Sequence, residues 1–344
     1  MKIPALTILL ALALPLTAGA QERQPHASAG EKGAAAPPGV ERKIAAAADV
    51  SVSLCMASGS VVVRGWDKGE VHARSDMAGR IDLREGKSGK GVEVLVSDYA
   101  DDETGAGHCN STSDVELDVP RGARVQIRVR EGDVDIDGVA EARVESLNGD
   151  VDVRRVTRAV DVSCLSGDVS LSDSKGRARL HSVSGSVEAM HVSPAATGDE
   201  FEARSTSGDV SLERVGHASV KGATTSGSVR MSGPLVGSGL YEFTTHSGDV
   251  TMELPPDSSF RVNARIIHTG EVITDFPVRA TLPAAGNVLE GGIPQPPPPP
   301  PPNGKVKVKP PMPPAHTGLV GVVGKGGAEL RLTTFSGTVY LKQE

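Results

Sequence analysis

A seven-residue phrase returns along this chain at intervals close to twenty, and that rhythm excludes most folds. It reads LNGDVDV from Leu147 to Val153, then LSGDVSL, VSGSVEA, TSGDVSL, TSGSVRM and HSGDVTM. Looser copies, ASGSVVV and EGDVDI, precede it, and HTGEVIT and FSGTVYL follow. With the glycine as origin, the copies fall at Gly59, Gly132, Gly149, Gly167, Gly185, Gly208, Gly227, Gly248, Gly270 and Gly337. From Gly132 to Gly270 the intervals are 17, 18, 18, 23, 19, 21 and 22 residues. A period of this size marks stacked units, each too thin to bury an apolar face alone.

The residue columns say what is stacked. Two places after the glycine stand Val151, Val169, Val187, Val210, Val229, Val250 and Val272, and four after it Val153, Leu171, Ala189, Leu212, Met231 and Met252. Seven places before stand Ala142, Val160, Ala178, Phe201, Val220 and Tyr241, and five before Val144, Val162, Leu180, Ala203 and Phe243. Alternation on both sides of the glycine predicts a strand, a tight Ser-Gly-Asp corner and a second strand with one face buried. Glycine supplies a positive φ at such a corner, and Ser, Asn and Asp bond the local backbone. Six places before the glycine stand Arg143, Asp161, Arg179, Glu202, Lys221 and Glu242, outward residues whose charge alternates in sign. Parallel strands in register, ~4.8 Å apart, would set these charges in one file with opposite neighbours. Exposed pairs are worth roughly 0–1 kcal/mol each, so they mark register more than they stabilise. The expected fold is all-β, a parallel β-solenoid or β-helix of ~20-residue coils with two strands per coil. An antiparallel β-sandwich of short strands is the alternative, and it would not form that file.

Aromatic residues make up only 3% of the 344 residues while Gly numbers 40, which suits a thin core of Val, Leu and Ala. A net charge of -7, without any basic run interleaved with aromatics, argues against nucleic acid as a partner. Met1 to Ala20 (MKIPALTILLALALPLTAGA) reads as a secretory signal peptide cut before Gln21, so the protein is expected to be exported, to the periplasm, the cell envelope or beyond. No cysteine follows the cut to take a lipid, and no later run is long and apolar enough to span a bilayer. Residues 21–48 read as a flexible leader and 49–344 as one solenoid domain. That domain carries a proline-rich insert at about 283–316, with seven consecutive prolines from Pro296 to Pro302 followed by Lys305, Lys307 and Lys309. Such a run favours a stiff polyproline II arm, either a ligand for a partner or a tolerated insertion. Beyond it Leu330, Leu332 and Thr334 lead into Gly337 and Val339 and Leu341 lead out, so a last coil is expected to cap the end of the stack.

The opening GSVVVRGWDKGEV, the middle VELDVPRGARVQI, the tandem SGDV corners and the closing GKGGAELRLTTFSGTVYL together resemble the bacterial putative-adhesin family, exported envelope proteins built on a domain of unknown function. The resemblance runs from about Val40 to Glu344, and the proline insert departs from it. It implies a β-solenoid without an established catalytic site, and a structural place for Trp66, the single tryptophan.

Candidate chemistry is sparse. Of three cysteines, Cys55 and Cys109 are disulfide candidates in an oxidising compartment, and Cys164 falls on an inward position as a buried thiol. Asp133, Asp135, Asp137, Asp150, Asp152 and Asp168 are all at outward positions and would crowd one face, where calcium or the nearby Arg154 and Arg155 could relieve the repulsion. The calcium-binding repeat GGxGxD is absent. His246 and His268 stand two before successive glycines and would be a metal pair lacking a third ligand. No Walker loop, nucleophile elbow or HExxH occurs, so no catalytic or cofactor-binding residue is assigned. The expected function is a non-enzymatic envelope adhesin or scaffold presenting a repetitive polar face to a polymer or protein. The alternative is a carbohydrate-active lyase or hydrolase using the acidic face from Asp133 to Asp168.

Overall fold

The computed structural model describes residues 40–75, 80–85, 91–97, 109, 111–280 and 317–344. The expected signal segment, the leader up to residue 39 and the proline-rich insert lie outside them.

The described residues form two sheets, of 14 and 13 strands, and each repeat contributes one strand to each. In the Gly149 coil these are Glu141–Asn148 and Val151–Arg154, and in the Gly167 coil Ala159–Ser166 and Val169–Ser172. Successive strands are parallel and in register: Ala142 faces Val160, which faces Ala178, and Val151 faces Val169, which faces Val187. The chain is a parallel β-solenoid with a long-strand sheet before each corner and a short-strand sheet after it. Its inward columns are buried from Ala142 to Met252, Val144, Val162 and Leu180 from one sheet meeting Val153, Leu171 and Ala189 from the other. The few aromatics fit where a neighbouring coil offers a small residue. Phe243 lies over Gly222, where an added Cβ would come within 2.7 Å of its ring.

The alternating charges stand in single file: Arg143 opposite Asp161, then Arg179, Glu202, Lys221 and Glu242. Direct ion pairs form along the strands instead, as in Arg143 with Glu145 at 3.4 Å and Arg204 with Glu202 at 2.5 Å. The file therefore acts at longer range, biasing register without closing bridges.

The two ends differ from expectation. The Gly337 coil is not the terminal cap: Ala328–Ser336 lies between Leu240–Ser247 and Phe260–Thr269, and Val339–Gln343 lies between Val250–Leu254 and Val272–Thr274. The chain skips one level after the Gly248 coil and returns to fill it. The charge file explains the fit, because Arg331 of the late coil faces Glu242 and continues the alternation. The long-strand sheet is extended by Thr317–Val323, antiparallel to Phe260–Thr269, and its outer edge is Arg279–Ala280, antiparallel in turn to Thr317–Val323. At the other end Val40–Ala45, within the expected leader, forms an antiparallel strand with Glu70–Ser75. Alternation is again the reason, with Val40 and Ile44 packed against the core.

Candidate binding face

Each coil turns at its glycine. Gly132, Gly149, Gly167, Gly185, Gly208, Gly227, Gly248, Gly270 and Gly337 all have φ between +122° and +154°. At Gly167 an added Cβ would strike the carbonyl carbon and oxygen of Gly149 in the coil beneath, so conformation and space both demand glycine. Two side-chain ladders satisfy the backbone polar groups of these corners. Asp133 Oδ1 accepts from the Asp150 N–H at 2.9 Å, Asp150 from Asp168 at 2.8 Å, and Asp168 from Ser186 at 2.7 Å. In the second ladder the hydroxyls of Ser182, Ser205, Thr224 and Thr245 reach back to donate to the carbonyls of Gly167, Gly185, Gly208 and Gly227 in the preceding coil at 2.8–3.0 Å. The late coil obeys both rules, with Thr338 N–H donating to Asp249 and Thr334 to the Gly248 carbonyl.

This accounting decides the acidic face. Asp133, Asp150 and Asp168 are corner acceptors. Asp135 is held by Arg154 at 2.7 and 2.8 Å, and Asp137 by Arg155, and each carboxylate holds its arginine above the usual value. Asp152 is different: it faces Asp135 in register, and its Oδ1 is covered without a hydrogen bond, 3.7 Å from the Arg154 Nε. Burial, aided by Asp135 and Asp137 and opposed by Arg154, pushes its carboxyl above the ordinary range. Among the described residues no group of three His, Cys, Asp or Glu side chains is placed to hold a metal ion.

His246 and His268 are not neighbours, because the late coil inserts Phe335 between them. The three rings form one stack, with centroids 4.6 Å apart on one side and 5.5 Å on the other. Cys55 and Cys109 are joined as a disulfide with Cα atoms 5.0 Å apart. Cys164 lies buried in the hydroxyl column, its thiol pushed up by burial. Trp66 donates from Nε1 to the Glu70 carbonyl at 2.9 Å and stacks on His72.

The feature that sequence reasoning missed lies on the outer side of the long-strand sheet. A groove of about 470 Å³ runs across six coils, lined by His181, Arg204, Thr206, Thr225, Thr244 and Phe335 among others. A β-bulge shapes one end: between Ile266 and Thr269 the register slips, so Ile267 and His268 together oppose Phe335. That extra residue leaves Ile267 facing outward, 42% exposed, beside the ring stack. The signal was present in the later coils, where the positions two before the glycine read Thr206, Thr225, His246, His268 and Phe335, and His181, Arg204, Thr244 and Thr333 stand four before.

Residues 103–214 match the family model described as Toastrack DUF4097. The matched stretch takes in VELDVPRGARVQI and the corners from Gly132 to Gly208, so over these residues the chain is similar to that family. Similar solved structures include a putative adhesin from Bacteroides fragilis, 16% identical over 63% of this chain and 96% of that one, with a TM-score of 0.41. A putative adhesin from Parabacteroides distasonis is 12% identical over 63% and 90%, with a TM-score of 0.34. A putative cell adhesion protein from Clostridium sporogenes is 10% identical over 89% and 100%, with a TM-score of 0.22. No curated protein matches the chain. Among the described residues no helix is long and apolar enough to cross a membrane.

Proposed function

We propose that this chain is a non-enzymatic, exported module of the cell envelope, an adhesin or scaffold that holds a polymer or protein along the outer face of its long-strand sheet. One observation carries the reading: that face repeats its side chains in register from coil to coil and is grooved, while most carboxylates of the acidic face are already bound to corner N–H groups or arginine. The secretory signal read at Met1 to Ala20 and the Cys55–Cys109 disulfide both suit an oxidising compartment outside the cytoplasm. The test immobilises the chain from Gln21 and passes envelope polysaccharide and envelope protein fractions over it. Retention lost in Thr225→Lys or Thr244→Lys, but kept in Ser211→Lys on the short-strand sheet, supports the reading. Retention by no fraction, or equal retention by all variants, defeats it.

Asp152 favours the second reading, because a carboxyl raised above its ordinary value by burial and standing opposite Asp135 in register makes the kind of pair that acid–base cleavage uses. Glycan cleavage by the wild type that Asp152→Asn and Asp135→Asn both abolish would replace the adhesin reading with a hydrolase or lyase.

A further inference from the structure

We infer that the groove between the Gly185 and Gly337 coils binds a short stretch of an acidic glycan; the inference rests on the reading of this face as a binding surface and names its ligand class.

Charge sets the sign. The chain carries a net charge of -7, yet the lining of this groove contains no Asp or Glu and does contain Arg204, with His181 and His246 as further polar donors or acceptors. Glu202 takes one Arg204 nitrogen from outside that lining. A guanidinium carries five N–H donors, so the others remain for a carboxylate or sulfate. The rest of the lining sets the chemistry. Thr206, Thr225 and Thr244 are exposed, unlike Thr224 and Thr245, which turn inward to the corner carbonyls. Thr206 and Thr225 stand in one column on adjacent coils, ~4.8 Å apart, and Thr244 lies on the next coil beside Ala223, diagonal to Thr225. Each hydroxyl both donates and accepts, which suits the hydroxyl groups of a sugar. At the far end Phe335 and Ile267 are 36% and 42% exposed and form a small apolar wall for the C–H face of a pyranose. The volume, about 470 Å³, falls in the usual range of about 300–1,000 Å³ for small-ligand sites. A protein partner is disfavoured here, because specific protein interfaces centre on larger aromatic and apolar anchors than this groove supplies.

The experiment titrates the chain from Gln21, by calorimetry, with hexagalacturonate, a heparin hexasaccharide and neutral maltohexaose. At least one acidic probe is expected to bind, with maltohexaose about tenfold weaker or more. Arg204→Gln and Phe335→Ala are each expected to weaken the acidic probe about tenfold with unchanged thermal melting. Glu188→Gln, on the short-strand sheet, is the control and is expected to bind as wild type. Binding of neither acidic probe, equal binding of maltohexaose, or wild-type affinity in both folded groove variants overturns the inference. Should the acidic probes fail while envelope fractions are still retained in a Thr225- and Thr244-dependent way, the ligand class falls and the binding-face reading stands.

Discussion

Replacing Gly167 by Ala should cost far more than removing the charge beside it, and the structure says why. Its φ of +143° is open to little but glycine, a strain of about 1–3 kcal/mol for any other residue. The new Cβ would also overlap the Gly149 carbonyl, and relief requires the two coils to part at the corner. Three hydrogen bonds cross there: Gly149 N–H to Ser166, Val151 N–H to Asp168, and Asp168 N–H to the Asp150 carboxylate, at 2.8–3.0 Å. With each worth about 0.5–1.5 kcal/mol, Gly167→Ala should lose roughly 2.5–7.5 kcal/mol in all. Asp168→Ala removes a single acceptor from the Ser186 N–H at an exposed corner, and should lose about 1 kcal/mol, as helix-capping acceptors do. Asp168→Asn keeps the acceptor and should sit near wild type. Urea unfolding followed by circular dichroism reads all three. The reasoning is refuted if Gly167→Ala falls within about 1 kcal/mol of wild type, or if Asp168→Asn is as damaging as Asp168→Ala.

Three further perturbations test the interior, the acidic face and the second corner of the coil, the turn that follows a short strand such as Val210–Glu213. His217 is fully buried, and burial holds its imidazole below the usual value despite a hydrogen bond to the Gly176 carbonyl at 2.8 Å. The unfolded chain therefore takes up this proton first: stability is intact above about pH 6.5 and falls below it. The slope is at most about 1.4 kcal/mol per pH unit, and His217→Gln should flatten it in melts between pH 7 and pH 5. Asp152 shifts the other way, its raised value meaning that the ionised form opposes folding. Asp152→Asn should raise the melting temperature at pH 7 and lose that advantage below about pH 3.9, where the unfolded carboxyl is protonated too. Arg214 holds φ +51° at the second corner, in a column where the next coil has Gly233 at +111°. Arg214→Gly should stabilise by about 0.5–1 kcal/mol in urea unfolding, left-handed strain relieved outweighing chain entropy lost.

The stack was legible because its signals are columnar. Valine two places after each glycine and alternating charge six places before it are statements about neighbouring coils, and parallel register turns one into the other. The place of the Gly337 coil was hidden because order along the chain differs from order in space, yet the same column held a clue. Six places before Gly270 stands Ala264, which is buried where the file calls for a charge, and six before Gly337 stands Arg331, which restores it. The bulge at Ile267 and His268 shifts parity in that strand by one residue and accounts for the break. The corner aspartates looked like a repulsion to be relieved, since nothing in a single repeat reveals that each carboxylate receives the N–H of the next coil. The groove escaped for a related reason. Its hydroxyl floor and aromatic wall come from coils joined only once the late coil has slipped between two earlier ones.

Engineered disulfides along the charge file measure that arrangement directly. Strands ~4.8 Å apart place successive members of the file within the Cα window of about 4.4–6.8 Å that a disulfide spans, whereas members two levels apart sit at about 9.6 Å. Glu242→Cys with Arg331→Cys, and Arg331→Cys with Asn263→Cys, should each cross-link on mild oxidation, while Glu242→Cys with Asn263→Cys should not. Cross-linking of the Glu242 and Asn263 pair, with both Arg331 pairs left reduced, would mean that the coils stack in chain order and that the groove has been assembled from the wrong neighbours.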